Sequence, residues 1–474
     1  MAHRLVSGSA LFPPSDQRLA WDSELTTILA AADQRVRLRA VTPTLDREAF
    51  ASELAGFDFA QPVPFGDLLS WTVAQMEHGL VHVNHPRYLG LFNPAPSFPA
   101  QCADRIVATF NPQLASATTS PAAVAIEAHV ARSLAYRAGL PAQAVGHFTS
   151  GGSEANDTAL ICALTQAEPG FATDGSRAFS GQPVFYISAD SHLAWIKIAH
   201  MAGIGRSAAR LVPTDGTGRM SLEALSCMID ADRRDGHVPV MVVATAGTTN
   251  AGMIDPLAEC SEIARQAGLW YHVDAAWGGG LVASEQLRGA LAGIETADSI
   301  TIDAHKWFAT TMGSGMFLTA HPQALSSAFN VSANFMPSHE HAFDPYMTTM
   351  QWSRRFLGLR LFLSLGAGGW AGHGAHVERS VALGRQLAKN LNQRGWLVAN
   401  EPELAVVCLE PPAGSRPVCE IVAQVLKSGG AWISAAQFEG REVIRACVTH
   451  GETSLDDIEV IAALLERASL ARAA

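Results

Sequence analysis

The chain is short of charge, of paired cysteines and of long apolar runs. Asp, Glu, Lys and Arg make up 16% of its 474 residues, against roughly 25% in an average soluble protein. We therefore expect part of the surface to be buried against another subunit. The seven cysteines are odd in number and form no CxxC pair, which argues against a disulfide framework or a zinc site and favours reduced thiols.

Other absences exclude whole classes of partner. No run approaches the ~20 apolar residues of a membrane span, and residues 1–22 lack the apolar segment of a secretory signal. The 33 basic residues are outnumbered by 44 acidic ones, which gives a net charge of −11, and a surface of that sign does not attract nucleic acid. We expect a cytoplasmic protein that binds neither membranes nor nucleic acids.

The chain is rich in hydrophobic residues, and they follow a regular alternation of strand and helix patterns. Hydrophobic residues make up 48% of it, enough for a large core, and its length corresponds to about three domains, or to two with a long extra arm. In the middle of the chain short apolar runs alternate with helical patterns, which predicts an α/β domain with a mainly parallel sheet flanked by helices. The predicted strands are 184–188, 238–244, 269–273, 299–302 and 315–319.

The pattern differs at both ends of the chain. Residues 1–98 read as a helical segment that ends in a Pro-rich tract, and residues 99–360 form the large α/β domain. Residues 361–474 read as a small α+β domain, in which one long helical stretch spans 359–395. Its predicted strands are 406–409, 431–435 and 442–447, and its last helix is 456–473.

Three polar clusters are expected where strands of the α/β layer end, which is where ligands of open α/β sheets bind. The first is Thr149-Ser-Gly-Gly-Ser-Glu-Ala-Asn156, which leads into an apolar helix. Its glycines allow close backbone approach, and the N-terminus of the helix offers N–H groups to a phosphate. A simple Gly-Gly turn with Ser153 as N-cap is the alternative.

The other two clusters carry one carboxylate and one amine. Asp274 stands at a strand end in His272-Val-Asp-Ala-Ala-Trp277, where a buried salt bridge or a helix cap is the alternative interpretation. Lys306, in Asp303-Ala-His-Lys-Trp307, has apolar and aromatic neighbours; a desolvated lysine serves Schiff-base chemistry, whereas a surface lysine merely extends into water. A phosphate-binding loop, an Asp at one strand end and a Lys at another are together the groups that bind pyridoxal 5′-phosphate (PLP).

These motifs resemble the group II PLP-dependent amino-acid decarboxylases, which include glutamate, aromatic-amino-acid and diaminobutyrate decarboxylases. The resemblance covers about residues 85–360, and also includes Ser120-Pro121 and Glu127. It implies PLP-dependent transferase fold type I, that of aspartate aminotransferase, and a homodimer with shared active sites. It further implies that Lys306 forms the Schiff base and that Asp274 holds the pyridine nitrogen.

The resemblance also assigns the remaining site residues. Those that contact the cofactor are Gly152 and Ser153 in the phosphate loop, His192 stacked on the ring, Thr249, Ala276 and His305. Ser353 matches a position, often Gly in relatives, that the neighbouring subunit contributes near the phosphate. The substrate pocket would include Leu91, Phe92, Asn93 and Arg445; for Arg445 a strand-edge ion pair is an equally good interpretation.

One loop departs from the family pattern. In many relatives the loop after Asn330 carries a tyrosine that protonates the carbanion left when CO2 departs, and here the matching residue is Phe335. Phe at this place resembles the aldehyde synthases of the family, which consume O2 and release an aldehyde, ammonia and CO2. Tyr346 supplies the proton instead if the loop register differs. His339-Glu-His341 in the same loop is a solvated polar segment rather than a metal site.

Three functions therefore remain open. The first is a decarboxylase of an L-amino acid or an amino-acid conjugate that ends in an aldehyde, with a plain amine-forming decarboxylase as its variant. The second is a PLP enzyme of another type, such as a β-eliminating C–S lyase or a transaminase. The third is a silent binding protein, which the intact Lys306, Asp274 and His192 argue against. The apolar tract 88–92 disfavours a purely dicarboxylic substrate.

Overall fold

The computed structural model describes residues 11–331 and 344–470. Its strands are β1 Val145–Thr149, β2 Pro183–Ser188, β3 Ala209–Val212, β4 Val238–Thr245, β5 Trp270–Asp274, β6 Ser299–Asp303, β7 Gly315–Thr319, β8 Leu397–Val398, β9 Val406–Glu410, β10 Ser434–Phe438 and β11 Arg441–Cys447. Its helices are α1 Ser15–Arg35, α2 Arg47–Ala55, α3 Phe65–Gly79, α4 Phe98–Phe110, α5 Pro121–Arg137, α6 Gly152–Ala167, α7 Phe171–Asp174, α8 Ala194–Met201, α9 Leu222–Arg234, α10 Leu257–Ala267, α11 Pro322–Phe329, α12 Gly358–Asn392, α13 Val418–Ser428 and α14 Leu455–Ser469.

The larger sheet has seven strands in the order β1-β7-β6-β5-β4-β2-β3. Strand β7 runs antiparallel to both of its neighbours, while the pairs β2–β3, β2–β4, β4–β5 and β5–β6 are parallel. The predicted α/β class with a mainly parallel sheet is therefore confirmed. All strands except β7 point their carboxyl ends at the same edge of the sheet.

A second, antiparallel sheet has the order β10-β11-β9-β8. One apolar cluster runs without interruption from the large sheet to the small one, because it joins Val242 and Ile302 to Val406 and Leu465. Helix α12 contacts α4, α5, α14 and β9, so it connects the two layers. The boundaries at residues 98 and 360 remain predictions.

The structure corrects several predicted elements. Strands β1 and β3 were missed, because β1 contains Gly146 and His147 and β3 is an edge strand with exposed Leu211. The predicted strand 431–435 is wrong: β10 starts at Ser434, since the hairpin turn at Glu439 and Gly440, both with positive φ, sets its register with β11.

The long helix of the small domain is interrupted. The pattern predicts one continuous helical stretch over 359–395, whereas α12 contains Gly369 with φ 61° and ψ 176°, outside the helical region. Two helical segments therefore meet at a kink that glycine tolerates. None of the helices in the described ranges is long and apolar enough to cross a membrane.

Candidate active site

The polar side chains of interest lie at the edge where the parallel strands end. In the register of the sheet Thr245 lies beside Asp274, and Asp303 lies beside Gly315, which in turn pairs with Thr149. The ends of β1, β4, β5 and β6 thus meet in one row, as expected for a ligand site of an α/β sheet. The three clusters of the sequence are therefore neighbours in space.

Asp274 is buried, with 4% of its surface exposed. Its Oδ2 accepts hydrogen bonds from Asn156 Nδ2 at 2.8 Å and from Trp195 Nε1 at 3.2 Å, and its Oδ1 accepts one from the backbone N–H of Ala276 at 3.2 Å. These three donors are neutral, so they orient the carboxylate without cancelling its charge. Such a carboxylate can hold a protonated ring nitrogen.

Lys306 is not a surface lysine extended into water. Its Nζ lies 3.0 Å from Asp303 Oδ2 and 5.5 Å from the ring centroid of Phe92. Asp303 is 3% exposed, and its Oδ1 has no hydrogen-bond partner among the described residues. The amine is therefore held at the strand end by a buried carboxylate three residues earlier in the chain.

The Gly-Gly turn forms the start of α6. The residue before the helix is Gly151, no side chain caps the helix, and the alternative with Ser153 as N-cap is therefore wrong. A Cβ atom at Gly152 would lie 2.9 Å from Asp303 Oδ2, and one at Gly151 would lie 3.7 Å from Cε1 of His305. The uncapped N-terminus, with His305 beside it, can receive a phosphate.

His192 follows β2 and is exposed on the open side of the site. Its Nδ1 accepts a hydrogen bond from the backbone N–H of Ala194 at 3.1 Å, so Nε2 carries the proton in the neutral ring. Burial lowers the pKa of His192 below 6.5, Asp274 opposes that shift, and Lys306 adds to it. The ring is thus neutral near pH 7 and close to both catalytic candidates.

Arg445 makes no ion pair at a strand edge among the described contacts. It is 3% exposed, and its Nε and Nη1 donate to the carbonyl oxygens of Thr249 at 2.8 Å and Gly90 at 2.5 Å. Its guanidinium carbon lies 4.7 Å from the ring centroid of Phe92. The remaining nitrogen, Nη2, is buried and has no hydrogen-bond partner within residues 11–331 and 344–470, which leaves one donor available to a ligand.

The predicted pocket tract lies against these groups. Phe92 stacks on Trp277 at 4.4 Å, and Trp277 stacks on Trp307 at 4.1 Å. Leu91 is exposed, and Asn93 Oδ1 accepts a hydrogen bond from the Tyr88 hydroxyl at 3.4 Å. An aromatic wall therefore lines the site beneath Lys306 and Arg445.

Within the described residues, Ser353 and Tyr346 make no contact with the site groups named above. Ser353 is exposed beside Arg354, which is anchored by Glu127 at 2.5 Å. Phe335 lies outside the described residues. The alternative proton donor, Tyr346, is buried and its ring packs 4.7 Å from that of Trp352.

Sequence reasoning missed Asn156, Trp195 and Asp303 as site residues. Asn156 and Asp303 stand inside the motifs themselves, and the spacing of Asp303 three residues before Lys306 is a readable signal. Trp195 follows His192 by three residues, but nothing in a single sequence shows that its indole N–H points at Asp274. Together these side chains fit PLP: an amine, a carboxylate for the ring nitrogen and an uncapped helix N-terminus for the phosphate.

Comparisons with known proteins agree with this fit. Residues 61–410 match the pyridoxal-dependent decarboxylase conserved domain. L-2,4-diaminobutyrate decarboxylase of Rhizobium meliloti (strain 1021) is 32% identical over 414 residues, which cover 83% of this chain and 81% of the relative. Aromatic-L-amino-acid decarboxylase of Bacillus atrophaeus is 29% identical over 406 residues and 83% of each chain.

A solved structure shows the same architecture. The crystal structure of mouse CSAD in apo form superposes with a TM-score of 0.88 at 25% sequence identity. The superposition covers 95% of this chain and 99% of that one. The likeness therefore includes both sheets and most of the helices.

Proposed function

This chain belongs to the pyridoxal-dependent decarboxylase family, and from that membership we propose that it decarboxylates an L-amino acid and releases an aldehyde. The observation that carries the PLP chemistry is the meeting of Lys306 and Asp274 at adjacent strand ends, and the match of residues 61–410 to the family supports decarboxylation. PLP, the cofactor of this family, supplies when bound an electrophilic aldehyde and a ring that accepts the electrons of the broken bond. The substrate is a small-molecule amino acid.

We assign the residues of this chain to the following roles. Lys306 holds the cofactor aldehyde, and Asp274 keeps a proton on the ring nitrogen. Gly152 and Ser153, at the N-terminus of α6, bind the phosphate, with His305 beside them. His192 lies on the open side, where it covers the ring. Thr249 and Ala276 complete the wall around it.

Arg445 is our candidate for holding the substrate. Its side chain is buried, two of its nitrogens donate to backbone carbonyls, and Nη2 remains unpaired. An unpaired buried donor costs free energy, and the carboxylate of an amino acid would complete it. Leu91, Phe92 and Asn93 then line the side-chain pocket, whose aromatic wall favours an apolar group.

The aldehyde outcome depends on Phe335. A phenol within hydrogen-bond distance would protonate the carbanion quickly, since general-acid transfer is worth about 10²–10⁴-fold. Phenylalanine has no such proton, so we infer that O2 reaches the carbanion first. O2 would take up two electrons and leave as H2O2, and water would hydrolyse the remaining imine, so the products are an aldehyde, ammonia, CO2 and H2O2. A plain decarboxylase would release an amine without consuming O2.

Oxygen consumption separates the two outcomes. We expect the wild-type protein to consume O2 and release aldehyde, and we expect Phe335→Tyr to shift the product towards the amine, with His192 needed for both. The measurement is oxygen-electrode stoichiometry beside amine quantification, with Phe329→Tyr on α11 as the matched control. Amine as the only wild-type product would reduce the function to plain decarboxylation. A released thiol or keto acid would instead indicate β-elimination or transamination.

We also propose that the active unit is a homodimer. Several large apolar side chains of the N-terminal helices and their connections are more than 70% exposed, namely Leu38, Phe59, Phe98 and Phe110, and α1 buries none of its side chains. Such a surface favours a partner. With exposed Ser353, it supports a second copy whose segment completes the phosphate site.

Mixed dimers test this sharing. Lys306→Ala and Ser353→Glu subunits should each be inactive, the second because its added carboxylate repels the partner's phosphate. Statistical exchange should restore about a quarter of wild-type activity, since one site in each mixed dimer is intact. Activity of Ser353→Glu alone, or no recovery on mixing despite subunit exchange, would contradict the shared site.

A further inference from the structure

A row of buried polar side chains runs from Asp274 into the protein. Asn156 Nδ2 donates to Asp274 Oδ2 at 2.8 Å, and Asn156 Oδ1 lies 3.3 Å from His272 Nε2. His272 Nδ1 lies 2.8 Å from Ser299 Oγ, which accepts a hydrogen bond from Trp270 Nε1 at 2.8 Å. All five residues are buried, and His272 and Ser299 are fully so.

The direction of each hydrogen bond in this row can be assigned from its two ends. A carboxylate only accepts and an indole N–H only donates, so the two ends of the row are fixed. Because Asn156 turns its NH2 group to Asp274, its oxygen faces His272 and requires a proton on Nε2. Burial lowers the pKa of His272 to about 4, against the opposing effect of Asp274, so the ring is neutral and Nδ1 has none.

The hydrogen bonds of Ser299, at the other end of the row, agree with this tautomer of His272. Since its oxygen already accepts from Trp270, its own proton is free to go to His272 Nδ1. The hydroxyl thus stabilises the His272 tautomer with the proton on Nε2, the tautomer that the orientation of the Asn156 amide requires. With the other tautomer, two acceptors would face each other between His272 and Asn156.

The secondary structure makes the row rigid. His272 and Asp274 are two residues apart on β5 and therefore point to the same face of the sheet, and Ser299 on β6 is the register partner of His272. Asn156 lies on α6, whose N-terminus forms the phosphate loop. The row therefore ties the loop to the strand that carries Asp274.

We propose that Asn156, His272 and Ser299 are positioning residues that hold the Asp274 carboxylate aimed at the ring nitrogen of the cofactor. This inference rests on the function proposed above. It assigns to the His-x-Asp pair on β5 a joint role, in which the histidine acts only through Asn156. Trp195 donates to the same carboxylate oxygen from α8, and its ring packs edge-on against that of His272 at 5.7 Å.

Ser299→Ala tests the proposal, with Ser380→Ala as the matched control. Ser380 is also a buried serine, and its Oγ donates to the backbone carbonyl oxygen of His376 in α12 at 3.0 Å, not to a member of the row. We expect Ser299→Ala to lower kcat on the order of 10–100-fold, as outer-sphere partners of catalytic groups do, with little change in KM. Ser380→Ala should stay near wild type, and Ser299→Thr should recover activity.

A second readout separates positioning from mere stability. In protein loaded with ring-15N PLP, the nitrogen resonance should move towards the unprotonated value in Ser299→Ala and stay in place in Ser380→Ala. If Ser299→Ala does not fold, Asn156→Ala breaks the row next to Asp274 and must show the same shift. An unmoved resonance together with a wild-type kcat in Ser299→Ala overturns the proposed positioning role of the row. A wild-type protein that fails to attach PLP to Lys306 overturns the proposed function instead.

Discussion

Lys306→Ala should lose covalent attachment of PLP and on the order of 10⁴–10⁶-fold of decarboxylation, as enzymes without their nucleophile do. The physical reason is the position of Nζ, which lies at the end of β6, 3.0 Å from a buried carboxylate and over the face of Phe92. Alanine removes the amine and leaves Asp303 buried without its cation. Some loss of thermal stability should therefore accompany the loss of activity.

The measurement is absorbance of the bound cofactor, followed by borohydride reduction and peptide mapping. In the wild-type protein the cofactor mass should appear on the peptide that contains Lys306. The matched control is Lys197→Ala, which removes an exposed lysine on α8 near the same site and should leave attachment unchanged. Retained absorbance and turnover in Lys306→Ala would remove Lys306 from the mechanism.

Asp274→Asn should bind the cofactor but lose on the order of 10³-fold in kcat, comparable to the removal of a principal electrostatic group. An amide has nearly the same shape as the carboxylate, but it carries no charge to keep the ring nitrogen protonated. It also presents an NH2 group to one of the three donors from Asn156, Trp195 and Ala276, so one hydrogen bond becomes a donor–donor contact.

Asp274→Glu is the companion variant, since it keeps the charge and displaces it by one methylene. We expect its loss of kcat to be smaller than that of Asp274→Asn, and we expect covalent attachment of the cofactor in both. Steady-state kinetics with equal cofactor loading decides the point. Near-normal turnover in Asp274→Asn would show that the ring nitrogen does not depend on this residue.

The sequence predicts the carboxyl edge of the large sheet because β2, β4, β5, β6 and β7 are buried and read as apolar runs. It does not predict β1, whose five residues include a glycine and a histidine. It misplaces β10, because the register of that strand is set by pairing with β11 rather than by its own apolar pattern. Local composition is informative for buried parallel strands and less so for hairpins and edges.

The same division holds for the site. Lys306 and Asp274 can be identified in the sequence because each stands at or just after the end of an apolar run that predicts a strand. The hydrogen bonds from Asn156 and Trp195 to Asp274 are not visible, since they join residues 118 and 79 positions apart. The sequence supports two interpretations of Arg445 equally, a substrate-pocket residue and a strand-edge ion pair. Among the described residues, Arg445 donates to two backbone carbonyl oxygens, keeps one unpaired nitrogen and forms no ion pair.

The substrate is expected to match side chains that surround the site and come from different helices, strands and loops. Phe92 and Trp277 give an apolar wall, Arg445 gives one unpaired donor, and relatives act, by their names, on diaminobutyrate or aromatic amino acids. A panel of carboxyl-labelled L-amino acids should therefore include cationic, acidic, aromatic and aliphatic members.

Release of labelled CO2 from that panel tests the central claim most directly. The account predicts labelled CO2 from at least one class of amino acid with wild-type protein loaded with PLP, and background release with Lys306→Ala prepared in the same way. Label that stays in a keto acid or an elimination product, with no CO2 from any class, would contradict decarboxylation as the reaction of this site.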